Sequence, residues 1–212
     1  WCTQCATVLA EAEEETRAVD GASIWMHYEC GELLARMVGR SGDAVPGSLI
    51  VWATSAWSLP GGAAVAVSPS AQYGIYEGID ADNVVRLVAV SESSAAEVLD
   101  RAGIANARWV AVVDGNAFVG AQVSDAFGRT IPVLPSEAIR ADRGSGFVHI
   151  APAHNIPDHQ LAQKHGVTYA NPIDARGMFD APAPAVSGVH VTDAEKQIID
   201  ALRDRGTLAA VH

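Results

Sequence analysis

The sequence predicts a mainly β fold: a small closed β-barrel decorated by peripheral α-helices. Three observations carry that expectation. Short apolar runs of strand composition recur at residues 24–28, 49–52, 63–67, 73–77, 84–90, 109–113, 115–119 and 129–133, and again in an apolar run that Pro152 ends. Clusters rich in Gly, Pro, Asn and Asp separate them, as turns require. Only four segments, 32–38, 91–103, 158–165 and 192–205, carry a helical pattern, and many short strands with few helices suit a decorated barrel. A length of 212 residues, 49% of them hydrophobic, is enough for one main domain with a real core.

Taken in order, residues 7–16 are ambiguous between helix by propensity and strand by partial alternation, and the acidic run 13–15 reads as a solvated face. Strand 24–28 is followed by the short helix 32–38 and a loop over 39–47. Strand 49–52 runs into Ala53, Thr54 and Ser55, and Leu59-Pro60-Gly61-Gly62 turns the chain before strand 63–67. Helix 91–103 has Ser91 or Ser93 as its cap and Gly103 as its stop. Asp-Gly and Phe-Gly pairs mark turns among the strands that follow. Helix 158–165 stops at Gly166, residues 181–185 form a Pro/Ala loop, and helix 192–205 opens on a Thr192-x-x-Glu195 capping box and closes at Gly206. No repeat or low-complexity tract interrupts this order.

Composition narrows the function classes. No run of 18 apolar residues exists to span a membrane as a helix, and no basic segment leads an apolar stretch at the start, so a cytoplasmic protein with no membrane partner is expected. Three cysteines are too few and too odd for a disulfide scaffold. Cys2 and Cys5 have the spacing of half a zinc knuckle, which cannot close a tetrahedral site without further ligands. A net charge of −11, with Lys164 and Lys196 the only lysines, argues against tight non-specific nucleic-acid binding by this chain itself.

The densest chemistry lies in Gly144-Ser-Gly-Phe-Val-His-Ile-Ala-Pro-Ala-His-Asn-Ile-Pro-Asp-His-Gln160. It reads as a glycine-led strand carrying His149, then a polar loop, then a helix N-terminus beside Asp158. Glycines let backbone approach a ligand closely, and a helix start offers unpaired N–H groups. The same pattern would also serve as a buried strand with a satisfied histidine and a capped helix. A second unusual segment is Ile50-Val-Trp-Ala-Thr-Ser-Ala-Trp-Ser-Leu-Pro60. Hydroxyl residues at a strand end can hold a polar group without carrying charge, or bond their own backbone in a turn.

Together the two segments resemble the editing domain inserted into class I isoleucyl-tRNA synthetases. That family carries Trp-Thr-Thr-Thr-Pro-Trp-Thr-Leu-Pro and, later, Gly-Thr-Gly-x-Val-His-x-Ala-Pro-Gly-His-Gly-x-Asp-Asp-Tyr. The likeness covers nearly the whole chain, from Trp1 through Gly206. It implies a single editing domain over 1–212 within a larger synthetase, with 1–20 and 190–212 near the junction, and it favours strand for 7–16. It also implies hydrolysis of a mischarged aminoacyl-tRNA, most directly valyl-tRNA for isoleucine. The partners implied are the aminoacylated 3′ end of tRNA and the rest of the synthetase. Editing itself would need no cofactor, and zinc at Cys2 and Cys5 would form only in the full-length enzyme.

On this resemblance Asp158 matches the second aspartate and would anchor the substrate's ammonium. His149 would close the pocket against a longer side chain. Thr54 and Ser55 would position ester and water beside Asp158, while Trp57, Ser58, Gly146, Phe147 and His154 would complete the substrate pocket. No nucleophile with an adjacent base is visible, so direct attack by water, helped by a tRNA ribose hydroxyl, is expected. The chain departs from the family at Ala53, Ala56, Ala153, Asn155, Pro157 and His159. Pro152-Ala-His154 is closer to the valyl and leucyl branches, which keeps valyl-type removal of threonine as an alternative. A non-catalytic module that only holds the 3′ end is another, and a metallohydrolase built on His149, His154, Asp158 and His159 is a third.

Overall fold

The computed structural model describes residues 2–212 except 4, 6, 14, 16–20, 41–44, 181, 182 and 184. Trp1, most of the Pro/Ala loop 181–185 and the middle of the loop 39–47 therefore lie outside the described residues. Ten strands form one sheet: β1 Ile24–Glu29, β2 Gly47–Ala53, β3 Ala64–Val67, β4 Gln72–Ile79, β5 Val85–Ser91, β6 Ala105–Asp114, β7 Gln122–Ser124, β8 Thr130–Pro135, β9 Phe147–Ile150 and β10 Leu208–Val211. Four α-helices accompany them: α1 Gly31–Met37, α2 Ala95–Arg101, α3 Ile156–Lys164 and α4 Ala194–Asp204.

Pairing runs β1-β7-β8-β3-β9-β2 and returns from β2 to β1, so six strands close into the expected barrel. The closure is tightest along β1 and β2, which pair antiparallel from Ile24↔Ala53 to Glu29↔Ser48, and slightest at Glu29↔Ser124 between β1 and β7. Strands β5, β4 and β6 extend the sheet outward from β2, and β10 pairs with β1.

Alternation along each strand builds the core, because successive side chains point to opposite faces. Met26, Tyr28, Leu49, Val51, Val65, Val67, Ile131, Val133 and Phe147 turn into one buried cluster. Their neighbours turn outward: Trp25, Ile50, Val88 and Val90 receive Val98 and Leu99 of α2, while Ala64, Ala66 and Ile150 receive Leu161 of α3. Helix α4 sends Ala194, Ile198 and Leu202 onto the barrel cluster next to Ala56 and Leu59. Burying those side chains is worth about 1.5–3 kcal/mol for each Leu or Ile, and it fixes the segment 56–61 from behind.

Several local expectations are corrected. Over 7–16 the described residues form an isolated bridge of Cys2 with Thr7 and a short 3-10 helix Glu11–Glu13, with no strand. Residues 115–118 are a 3-10 helix rather than a strand, because Phe118 must turn inward to meet Phe147 at 5.1 Å and Tyr73 at 5.8 Å. Leu59 to Gly61 end a 3-10 helix, Ala56–Gly61, instead of forming a bare turn. The Thr192 capping box does not form. Thr192 lies in a preceding 3-10 turn, where its N–H donates to His190, and Asp193 precedes α4 without a capping bond. Strands β7 and β10 are additional to those expected.

Candidate active site

The site exists because β2 and β9 are parallel neighbours, paired through Val51↔Phe147 and Trp52↔Val148. Parallel strands leave a sheet at the same edge, so segments that follow them meet although they lie far apart in sequence. After β2 come Thr54, Ser55 and the 3-10 helix Ala56–Gly61; after β9 come Ala151 to Asn155 and helix α3. Between them lies a cavity of about 230 Å³ lined by Thr54, Ser55, Trp57, Ser58, Val148, His149, His154 and Asp158, among others. It is open on one side, since Thr54 is exposed and Ser55 half-buried.

His149 forms the buried wall, only 6% exposed. Its Nδ1 lies 3.0 Å from the Tyr28 hydroxyl and its Nε2 lies 3.4 Å from the Ser58 carbonyl. A carbonyl can only accept, so Nε2 carries the proton and the Tyr28 hydroxyl donates to Nδ1. Burial lowers the imidazole pKa to about 4, outweighing the Ser58 bond that raises it. The ring is neutral at neutral pH. Tyr28 stays protonated, its pKa pushed up chiefly by burial.

The two glycines after Pro60 are what let the histidines in. A Cβ on Gly62 would stand 2.2 Å from His149 Cε1, and one on Gly61 would stand 2.6 Å from His154 Nε2. His154 meets the Trp57 ring edge-on, with centroids 5.0 Å apart and planes at 64°. Its Nε2 is buried with no protein partner, and burial lowers its pKa. A buried polar nitrogen without a partner is costly, and a bound group could supply one.

Asp158, in the first turn of α3, accepts a hydrogen bond from Ala151 N–H at 2.8 Å through one oxygen. The side chain lines the cavity, and its pKa is raised by burial, partly offset by that bond. A half-buried carboxylate short of positive partners is a natural seat for an ammonium group. The Ser58 hydroxyl donates to the Ser55 carbonyl at 2.8 Å, the local bond that hydroxyls in turns commonly make. Trp57 stands beside it as a packing wall. Among the described residues no hydroxyl of this cavity is hydrogen-bonded to an imidazole or carboxylate, so no activated protein nucleophile is assembled.

Gly146 and Phe147 do not reach the cavity. Phe147 is fully buried against Tyr73, at 4.6 Å between centroids, and Gly146 has φ +79 and accepts from the Tyr73 hydroxyl at 2.8 Å. Gly146 precedes β9 and Phe147 opens it, and both support the strand from the core rather than line the cleft. The metallohydrolase residues form no metal-holding group: His149, His154 and Asp158 line the cavity but His159 points to Tyr169, 2.5 Å from its hydroxyl, and no three of the described His, Cys, Asp or Glu side chains could hold a metal ion together. Cys2 and Cys5 sit in one turn, with Cys5 N–H donating to Cys2 Sγ at 3.3 Å, and among the described residues no third ligand joins them. Cys30 is buried at the end of β1, its pKa raised by burial to about 12.

Sequence reasoning missed Tyr28, Asp125 and Arg129. Arg129 donates to the Leu59 and Pro60 carbonyls at 3.1 and 2.6 Å, and to Asp125. The only signal was the Asp-x-x-x-Arg spacing around the Phe-Gly turn.

The chain is 32% identical over 210 residues to the isoleucine–tRNA ligase of Alcanivorax borkumensis, which covers 98% of this chain and 22% of that protein. Isoleucine–tRNA ligase 2 of Burkholderia mallei is 32% identical over 213 residues, covering 98% and 21%. In structure, the chain matches GlLeuRS-CP1 with a TM-score of 0.71 at 17% identity, covering 90% of this chain and 98% of that one. It is an isoleucine–tRNA ligase homologue with the fold of a synthetase editing domain. The editing domain of P. knowlesi cytosolic leucyl-tRNA synthetase matches with a TM-score of 0.70 at 8% identity, over 91% and 97% of the two chains. No family model matches the chain. The chain thus spans about a fifth of the length of the curated ligases it resembles. None of its described helices is long and apolar enough to cross a membrane.

Proposed function

We propose that this domain hydrolyses mischarged aminoacyl-tRNA, most directly valyl-tRNA for isoleucine, as the editing part of a cytoplasmic isoleucyl-tRNA synthetase. The observation that carries the reading is the cavity itself: one half-buried carboxylate, Asp158, faces a wall made by the neutral His149. An isoleucine site rejects valine by only about 1–3 kcal/mol, a figure for which this enzyme family is the standard illustration and not a result for this chain, so a second, smaller site is needed. Asp158 takes the α-ammonium. Thr54 and Ser55, at the open side, hold the ester and a water, while Trp57 and His154 confine the side chain.

Water attacks the ester carbonyl directly, with the proton passing to the ribose oxygen that leaves and a neighbouring ribose hydroxyl assisting. The whole of residues 1–212 acts as one domain. Ser23 and His212 exchange two backbone hydrogen bonds of 2.9 Å, which supports the reading that 1–20 and 190–212 lie near one junction with the synthetase body. Zinc, if the full enzyme holds it, would take Cys2 and Cys5 as half of its ligands and serve that junction rather than the chemistry.

The test offers the synthetase carrying this domain valyl-, threonyl- and isoleucyl-tRNA side by side. Valyl-tRNA should be hydrolysed and isoleucyl-tRNA spared. Faster loss of threonyl-tRNA would point to the valyl branch, and no hydrolysis of any would leave a module that only holds the 3′ end.

A further inference from the structure

The hairpin joining β7 to β8 carries an ion pair that the proposed reaction does not use, a buried carboxylate with a half-buried arginine. The Asp125 side chain is 1% exposed. Its Oδ1 accepts from the backbone N–H of Phe127 and of Arg129 at 2.9 and 2.8 Å, and its Oδ2 accepts from Arg129 Nε and Nη2 at 2.7 and 2.6 Å. Every strong acceptor position of the carboxylate is thereby occupied, and the guanidinium is held in one plane.

What the fork has left, it aims across the barrel. Nη1 donates to the Pro60 carbonyl at 2.6 Å and Nη2 to the Leu59 carbonyl at 3.1 Å, at the C-terminal end of the 3-10 helix Ala56–Gly61. Carbonyls at a helix end carry partial negative charge, so a fixed cation suits them, even though the Leu59 carbonyl also accepts from Gly62 N–H at 3.0 Å. That short helix carries Trp57 and Ser58, and the Ser58 carbonyl is the one that receives His149 Nε2–H. Gly62, just beyond it, lies against the His149 ring. The width of the cavity between Trp57 and His149 is therefore set by where this helix is pinned.

We propose that Arg129, held by Asp125, is a positioning residue that fixes the helix 56–61 against β9 and so sets which aminoacyl side chain the cavity admits. The proposal rests on the editing reading for its substrate, but the clamp can be read without it. A general loss of stability would lower activity on all esters alike; a loosened clamp changes the ratio between them.

The test compares Arg129→Gln and Arg129→Lys in the synthetase that carries this domain. One readout is the ratio of kcat/KM on valyl- and isoleucyl-tRNA; the other is hydrogen exchange of the peptide spanning residues 56–62. Losing two charge-assisted bonds to one turn should cost Arg129→Gln about 10–100-fold in the ratio, with local exchange faster by a similar factor. Arg129→Lys keeps the charge without the fork and should fall between. If Arg129→Gln fails to fold, the lysine variant decides on both readouts. Unchanged exchange at 56–62, exchange raised equally throughout the domain, or a locally loosened turn with an intact ratio would each overturn the proposal. An unaltered enzyme that hydrolyses no ester would overturn the editing reading instead, and the exchange of residues 56–62 would still decide whether Arg129 holds that turn.

Discussion

Gly62→Ala puts one methyl group where the His149 ring stands, and its effect can be worked out in advance. Gly62 has φ −63 and ψ 137, an ordinary extended conformation that alanine adopts freely. Backbone strain is therefore absent, and the unfolded chain loses entropy, which favours the variant by about 0.4–1 kcal/mol. Against this, the new Cβ would lie 2.2 Å from His149 Cε1 and 3.1 Å from both ring nitrogens. The ring cannot yield cheaply, being bonded to Tyr28 and Ser58 on opposite sides. Overpacking costs about 1–3 kcal/mol and losing two hydrogen bonds about 0.5–1.5 each, so the net destabilisation should be about 1–5 kcal/mol, centred near 3. Urea denaturation reads it directly. Gly103→Ala is the control, because Gly103 has φ +64 with nothing within 4 Å, so it should cost about 1–2 kcal/mol through strain alone and leave substrate choice intact. Adding His149→Ala to Gly62→Ala should relieve the clash. If the two substitutions add to within about 0.5 kcal/mol, they do not touch and the geometry argued for the wall is wrong.

Four further outcomes follow. Asp158→Asn should abolish deacylation while keeping the fold, since an amide oxygen can still accept from Ala151 N–H. Asp158→Ala should lose deacylation and also about 1–3 kcal/mol of stability, because it strands that buried N–H; full activity in the asparagine variant would remove Asp158 from the anchor role. His149→Ala should widen the cavity so that isoleucyl-tRNA is hydrolysed as well, and a variant inactive on both esters would mean the ring acts otherwise than as a wall. His149 and His27 are buried with pKa values lowered to about 4 and about 3. A folded pKa below the unfolded one means that stability, full above the unfolded value near 6.5, is lost as pH falls, by about 2 kcal/mol per histidine between about pH 7 and pH 5. His149→Ala should remove about half of that slope in denaturation midpoints, and an unchanged slope would refute the assignment. With its net charge of −11, the chain alone should bind tRNA no tighter than about 10⁻⁴–10⁻⁶ M at physiological salt, which a filter-binding titration checks.

Most of the barrel was legible because its strands are apolar runs bounded by turn residues. β1, β2, β3 and β9 are buried along nearly their whole length, on both faces. The three residues of β7 are too few to show a period, and β10 gains its strand character from pairing with β1. The 3-10 helix at 56–61 contains Gly and Pro that read as a turn, and the one at 115–118 reads as part of a short apolar strand; Leu59 and Phe118 turn into the core from them. At the site, His149, His154 and Asp158 were legible through the order and spacing of their motif. Phe147 was misread, since it shares the face of His149 but lies two residues deeper along β9, packed against Tyr73 and Phe118 in the core, a depth that the motif does not show. Arg129 was missed because its contact with Pro60 joins residues 69 positions apart, and the Asp-x-x-x-Arg spacing shows only its local partner.

The central claim is that this cavity takes an aminoacyl ester by its ammonium and filters it by size. Its most direct measurement is calorimetric titration of the synthetase carrying this domain with non-hydrolysable valyl- and isoleucyl-adenosine analogues, with Asp158→Asn alongside and the synthetic site blocked. The account predicts that the valyl analogue binds and the isoleucyl analogue binds at least about tenfold more weakly, a difference of about 1.4 kcal/mol, with Asp158→Asn losing the valyl analogue by a similar factor or more. Equal binding of the two analogues, or unaltered binding by Asp158→Asn, would contradict it.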